Sequence, residues 1–232
     1  MAQVLSSFAY KGGVGKTTLL ILLSYWTARK GARVLVLDSD RGGSLRSWGK
    51  RRSALGKDLP FLIEKSGNFD FNSKKLKGDD QQEWDFVFMD CPPTIDDLAI
   101  LRLKKSDFLI VPLCVGGFDF DRLDIMAGEQ EFGKIPKVIV LNKVSYHAEE
   151  WASKSIFDNG KTLLAILEEY CQKLNCNYLI LGDRKEYRDI SLGITPWDQM
   201  RIFRLLSTNF FAEFRKLLKA VREIGLDLPP PD

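Results

Sequence analysis

The run Lys11-Gly12-Gly13-Val14-Gly15-Lys16-Thr17-Thr18 gathers the residue types that grip phosphate. Gly12, Gly13 and Gly15 let a backbone turn tightly and aim its amides at an anion, and Lys16 brings a cation to the β and γ phosphates of a nucleotide. Thr17 can offer its hydroxyl to magnesium, and a helix starting here adds its positive dipole end. A glycine turn with a lysine beside it is the plain alternative. The apolar strand-like run before it and the amphipathic helical run after it are the context a phosphate loop needs. The strict pattern of such loops has glycine where this chain has Tyr10, so the additional Lys11 marks a variant.

Carboxylates and an amide recur at similar places. Asp38 and Asp40 close the run VLVLDSD two residues apart, on the same side of a continuing strand, and suit magnesium and water beside a triphosphate; a strand-end turn pair is the alternative. Asp90 follows FVFM directly, as a carboxylate that holds magnesium would, and Pro92 and Pro93 stiffen the exit. Asn142-Lys143 follows VIVL, where an amide could read a base edge or simply make a turn, and Asp183 stands in the same position after a further apolar run.

These positions imply the elements that must carry them. Strand-length apolar runs at Val4–Phe8, Arg33–Leu37, Phe86–Met89, Phe108–Val111, Val138–Leu141 and Tyr178–Leu181 alternate with helical spacing at Lys16–Arg29, Ile95–Leu103, Phe120–Gln130, Thr162–Leu174 and Thr208–Ile224. The alternation predicts a doubly wound α/β fold: a single, mostly parallel sheet with helices on both faces, as in P-loop NTPases. Ligands of such sheets bind beyond the carboxyl ends of the strands, where all the residues above fall. One domain over residues 1–232 is expected, with an amphipathic helix at about 208–224, and Ser66–Gln82 and Ser145–Asn159 read as surface excursions.

Composition narrows the class. Of 232 residues, 45% are apolar and 28% charged, the balance of a globular protein. No run resembles a secretory signal or approaches the roughly 20 residues that span a bilayer. Cys91, Cys114, Cys171 and Cys176 include no CxxC pair, and with His147 as the sole histidine a zinc site lacks ligands. A reduced, cytoplasmic setting is expected. The net charge of +3 does not by itself demand a polyanion.

KGGVGKTT resembles the deviant Walker A motif of the ParA/MinD family, and the chain is most similar to its small partition ATPases. The resemblance implies ATP and Mg2+ as cofactors. It implies that Lys11 reaches across a nucleotide-sandwich homodimer to the partner's ATP, with Lys16 acting in its own subunit. In the DSD segment, similar to the family's switch I, Asp40 would position the attacking water and Asp38 would lie near the metal; Arg41-Gly42 stands where the family often has Pro-Gln. The DCPP segment resembles switch II, so Asp90 and Thr17 would hold magnesium. Asn142-Lys143 resembles the pair near adenine, and Asp183 joins the expected nucleotide contacts. Weaker similarity extends through Pro112, Phe118 and Asp119 and through Arg184, Tyr187, Gly193 and Pro196.

Three functions are compatible with that engine. The first is a nucleoid-associated partition ATPase that binds DNA nonspecifically and is stimulated by a ParB-like adaptor. Basic residues favour it: Arg41, Arg46, Lys50, Arg51, Arg52 and Lys57 in one stretch, and Arg201, Arg204, Arg215, Lys216, Lys219 and Arg222 in another. Arg201, Arg204, Arg215, Lys219 and Arg222 are the expected DNA contacts, and a solvated helix face is the plain alternative. The second is a MinD-like membrane ATPase, with Phe210, Phe211, Phe214, Leu217, Leu218 and Val221 as an interfacial stripe; packing of that stripe on the core is the bland and favoured reading. The third, a metallochaperone, reductase or targeting ATPase, is disfavoured by the missing CxxC.

Overall fold

The computed structural model describes residues 2–40, 42–68, 83–94, 100–101, 103–114, 117–128, 130–144, 160–199 and 208–230. Its strands are β1 (Gln3–Ser7), β2 (Val34–Asp38), β3 (Leu62–Lys65), β4 (Phe86–Asp90), β5 (Phe108–Cys114), β6 (Lys137–Val144) and β7 (Asn177–Gly182). They form a 7-stranded sheet in the order β3-β2-β4-β1-β5-β6-β7. Among the described residues every strand pairing in this sheet is parallel.

Helices are α1 (Lys16–Arg29), α2 (Ser44–Ala54), α3 (Gly117–Gly128), α4 (Gln130–Lys134), α5 (Leu163–Leu174), α6 (Lys185–Ile190), α7 (Pro196–Gln199) and α8 (Thr208–Glu223). The period of two along each strand divides the apolar residues between two cores. Val34, Val36, Phe86, Phe88, Val138 and Val140 face the layer containing α1 and α8. Leu35, Leu37, Val87, Met89, Ile139 and Leu141 face the layer containing α5. A sheet buried on both faces needs continuous apolar strands, which is why these runs do not alternate with polar residues.

Strand β3 and helices α2, α4, α6 and α7 escaped the reading of the sequence. The short strand β3 lies at the sheet edge with Leu62 exposed, so it carries little apolar signal; its register against β2 is what makes it a strand. Helix α2 is mostly polar, and only Leu45, Trp48, Gly49 and Arg52 are buried along it. The expected helix Ile95–Leu103 and the excursions Ser66–Gln82 and Ser145–Asn159 fall largely outside the described residues.

The C-terminal stripe packs inward. Phe210, Phe214, Leu217, Leu218 and Val221 are all buried in the core beside α1, with Phe211 packed against them. Phe214 meets Trp26 and Trp197 edge to face at 5.8 and 5.3 Å between ring centroids. Among the described residues no helix is long and apolar enough to cross a membrane.

Candidate functional site

Strand β1 ends at Ser7, and residues 8–15 turn over the carboxyl edge of the sheet before α1 begins at Lys16. Gly13 and Gly15 adopt φ of 78° and 107°, the left-handed region that glycine enters without steric cost. A Cβ at Gly15 would meet Asn142 Nδ2 at 2.2 Å. The loop is thus bent by its own glycines and seated against β6.

Lys16 is buried and its ammonium donates to the Lys11 carbonyl at 2.9 Å. Burial lowers its pKa, and the carboxylates of Asp90 and Asp40 oppose that shift. Thr17 Oγ1 donates to Asp90 Oδ2 at 2.6 Å, joining the first turn of α1 to the end of β4. The other Asp90 oxygen, Oδ1, is buried and has no hydrogen-bond partner. Burial pushes the Asp90 carboxyl up to about 7; the Thr17 hydrogen bond and Lys16 act against this, while Asp38 and Asp40 reinforce it. A buried carboxylate with an unsatisfied oxygen beside a threonine hydroxyl is a donor set that a hard divalent cation suits.

Asp38, in register with Asp90 across β2 and β4, is differently engaged. Its Oδ1 accepts from the Asp40 amide at 3.2 Å, and its Oδ2 accepts from both the amide and the Nε of Arg46 at 3.1 Å. Both oxygens already serve the protein, fixing the start of α2 and the approach of Asp40. Thr17 and Asp90 could hold a divalent cation, with Asp38 in register beside Asp90. Asp40 Oδ1 accepts from the Gly42 amide at 3.0 Å, which turns the chain, and Asp40 lines the cleft.

Asn142 braces the phosphate loop. Its Nδ2 donates to the Val14 carbonyl at 2.9 Å and its Oδ1 accepts from the Lys143 amide at 2.9 Å, so both ends of the amide are engaged within the protein. Lys143 has a φ of 58° and its ammonium donates to the Gly13 carbonyl. Asp183 forms an exposed ion pair with Arg188 at 2.9 Å and does not line the cleft.

The cleft has a volume of about 540 Å³ and is lined by Gly12, Gly13 and Gly15 to Thr18, by Asp40, by Trp48 and Arg51 of α2, by Pro93 and by Lys143. Lys11 is exposed and is not part of that lining.

The structure removes part of the first basic stretch from the residues available to phosphate. Arg52 is wholly buried: it donates to Asp198 Oδ2 at 2.7 Å, Tyr25 Oη at 2.7 Å, the Asp58 carbonyl at 2.6 Å and the Gly193 carbonyl at 3.1 Å. Arg46 pairs with Asp38, and Lys57 lies 3.5 Å from Asp198. The sequence shows charge but not partners, so nothing in the spacing distinguished these from surface cations. In the second set Arg215, Lys216, Lys219 and Arg222 are exposed, whereas Arg41, Arg201 and Arg204 lie outside the described residues, as do the side chains of Phe118 and Asp119.

Sheet order, glycine loop and buried Lys16 together define a P-loop nucleotide-binding protein. Residues 6–176 match the CobQ/CobB/MinD/ParA nucleotide binding domain, and the chain belongs to that family. A maintenance of carboxysome distribution protein A from Gloeobacter kilaueensis is 35% identical over 109 residues, 44% of each protein. The chromosome-partitioning ATPase Soj of Treponema pallidum is 26% identical over 158 residues, 54% of this chain and 62% of that protein. The chain spans about half the length of the curated relatives it matches.

Among solved structures, a plasmid partition protein of Borrelia burgdorferi bound to AMPPNP aligns with a TM-score of 0.60 at 18% identity, covering 97% of this chain and 99% of that one. The Aquifex aeolicus MinC:MinD complex aligns at 0.64 with 16% identity, covering 100% and 99%. At these identities the likeness shows the fold.

Proposed function

We propose that the chain is a partition or positioning ATPase that closes as a homodimer over MgATP, holds DNA without regard to sequence, and releases it when a ParB-like adaptor stimulates hydrolysis. The observation that carries this reading is the division of labour between two lysines of one loop. Lys16 is buried at the cleft, whereas Lys11 is exposed and outside its lining. A cation held outside its own cleft is placed to serve phosphate presented by a second copy.

The chemistry is in-line attack of water on the γ phosphate. Asp40, at the cleft wall, orients the water, and Lys16 with the loop amides stabilises the charge that develops. Thr17 and Asp90 would hold a magnesium ion, which would supply positive charge against the phosphate oxygens. Lys11 completes the site from the partner, so turnover by the isolated subunit is slow. The names of the relatives, Soj and the carboxysome distribution protein, support a role in moving or spacing a cargo. The burial of the α8 stripe removes the feature that favoured a membrane-bound alternative.

The test compares the wild type with Lys11→Ala for ATP-dependent self-association by sedimentation, and for ATP-dependent retention of nonspecific DNA beside anionic liposomes over a salt series. Expected are dimerisation and salt-sensitive DNA binding in the wild type, both lost in Lys11→Ala while nucleotide binding persists. Unchanged dimerisation by the variant would overturn the role of Lys11, and liposome binding without DNA binding would replace this function with the membrane-bound one.

A further inference from the structure

At the end of the sheet opposite the phosphate loop, two cysteines far from the nucleotide cleft meet. Helix α5 stops in a Schellman arrangement: the Cys176 amide donates to the Cys171 carbonyl at 2.9 Å, the Asn175 amide donates to the Gln172 carbonyl at 3.3 Å, and Asn175 is left-handed with φ of 47°. That motif sets the side chain two residues past the helix against the one in its last turn, where proteins ordinarily place an apolar pair. Here both are cysteines, Cys171 buried and Cys176 partly open. One 2.9 Å backbone hydrogen bond between the residues limits their Cα separation to roughly 7 Å, the outer limit for a disulfide.

Two further features surround the pair. A cavity of about 890 Å³ opens onto it, lined by both cysteines, Lys137, Tyr178 and Glu223. Lys137, the first residue of β6, is 1% exposed, and its ammonium donates to the carbonyls of Leu174 at 3.2 Å and Gly133 at 3.4 Å. Cys176 is the more open of the two sulfurs and shares the cavity wall with Lys137, whereas Cys171 is buried behind it, so Cys176 is the sulfur a small oxidant meets first. The neighbouring Cys171 thiol and the Lys137 cation favour the Cys176 thiolate, against the effect of burial.

We propose that Cys176 and Cys171 form an oxidant-reactive dithiol site whose substrates are small hydroperoxides. The Cys176 thiolate attacks one peroxide oxygen; the O–O bond breaks, and the leaving oxygen takes a proton to depart as alcohol or water. Cys176 is then a sulfenic acid. The Cys171 sulfur, losing its proton, attacks the Cys176 sulfur, and hydroxide leaves with that proton as water. The two thiols have lost two electrons and two protons, and the peroxide has been reduced to alcohol and water. A cellular thiol reverses the disulfide by exchange.

Trypsin supplies the readout, because Lys173 lies between the cysteines. The full-length protein is treated with graded hydrogen peroxide, alkylated and digested. Expected is a disulfide-linked pair of peptides spanning 162–173 and 174–184, appearing at lower peroxide than any oxidation of Cys91 or Cys114 and reversed by dithiothreitol. Cys171→Ser should instead give a dimedone-trapped sulfenic acid at Cys176, and Cys176→Ser should leave Cys171 as thiol. Lys137→Met should slow reaction of Cys176 about tenfold, with retained ATP binding reporting an intact fold. If both peptides remain separately alkylated while Cys114 oxidises first, or if Cys171→Ser yields no adduct at Cys176, the site is overturned; an unchanged rate in Lys137→Met would overturn the part given to the lysine.

Discussion

A methyl group at Gly15 would come within 2.2 Å of Asn142 Nδ2 while the backbone holds φ at 107°. Gly15→Ala therefore meets two separate obstacles, a clash with the amide that braces the loop and a backbone conformation that β-carbons disfavour. We expect the variant to remain folded and to lose nucleotide affinity by about a hundredfold, measured by titration of a fluorescent ATP analogue; about 3 kcal/mol of loop distortion suffices. Adding Asn142→Ala should recover only part of the loss, since it removes the clash but not the φ requirement. Full recovery would show that the amide alone determines the glycine. The carbonyl-bound Asn142 also illustrates how a residue matched to a base-reading position can have its polar atoms engaged in holding the loop itself.

Helix α2 is fixed by one buried guanidinium. Arg52 reaches from α2 to Tyr25 of α1, to Gly193 and to Asp198 of α7, and its guanidinium lies 4.7 Å from the Tyr25 ring centroid. Burial alone would raise Asp198, but hydrogen bonds from Arg52 and from the amide and hydroxyl of Thr195 hold it down at about 2. Its side chain is only 11% exposed, so the shift carries weight. A folded pKa below the usual 3.8 stabilises the protein above that pH, and the contribution disappears as pH falls from about 4 toward 2. It amounts to roughly 2 kcal/mol. Asp198→Asn should accordingly lower stability at neutral pH by at least that much, because Arg52 is left buried without its counter-charge, and the gap from wild type should shrink as pH drops from 4 to 2. Urea denaturation across that range measures it, and a gap independent of pH would separate the effect from the carboxylate's charge.

Across the whole molecule, the nucleotide cleft and the dithiol lie at opposite ends of the strands, and α8 runs over the face between β7 and α1. Its apolar side is committed to the core, leaving Arg215, Lys219 and Arg222 on the exposed side, with Lys219 3.7 Å from Glu223. If these side chains neutralise DNA phosphates, replacing all three with Ala should weaken ATP-dependent DNA binding for every sequence alike. The slope of log affinity against log salt should fall by about 3, since each phosphate contact releases about one counterion. Binding measured by fluorescence anisotropy across a salt series reads both quantities, and an unchanged slope would move the DNA surface elsewhere.

The phosphate loop, the strand-end aspartates and the α/β alternation were legible in the sequence because they depend on local chemistry: glycine where the chain must turn, lysine and threonine for phosphate and cation, apolar runs for strands buried on both faces. The amphipathic period of α8 was equally plain, although period alone could not say what covers it. Partners across the sheet were decided by tertiary structure. Arg52 looks like its neighbours Lys50 and Arg51 until folding buries it among Asp198, Tyr25 and two carbonyls. Asp38 looks like Asp40 until Arg46 and the Asp40 amide occupy its two oxygens. Cys171 and Cys176 become a pair because a left-handed Asn175 reverses the chain between them. Residue type sets what a side chain can do, and the packing of distant segments sets which polar atoms remain available to do it.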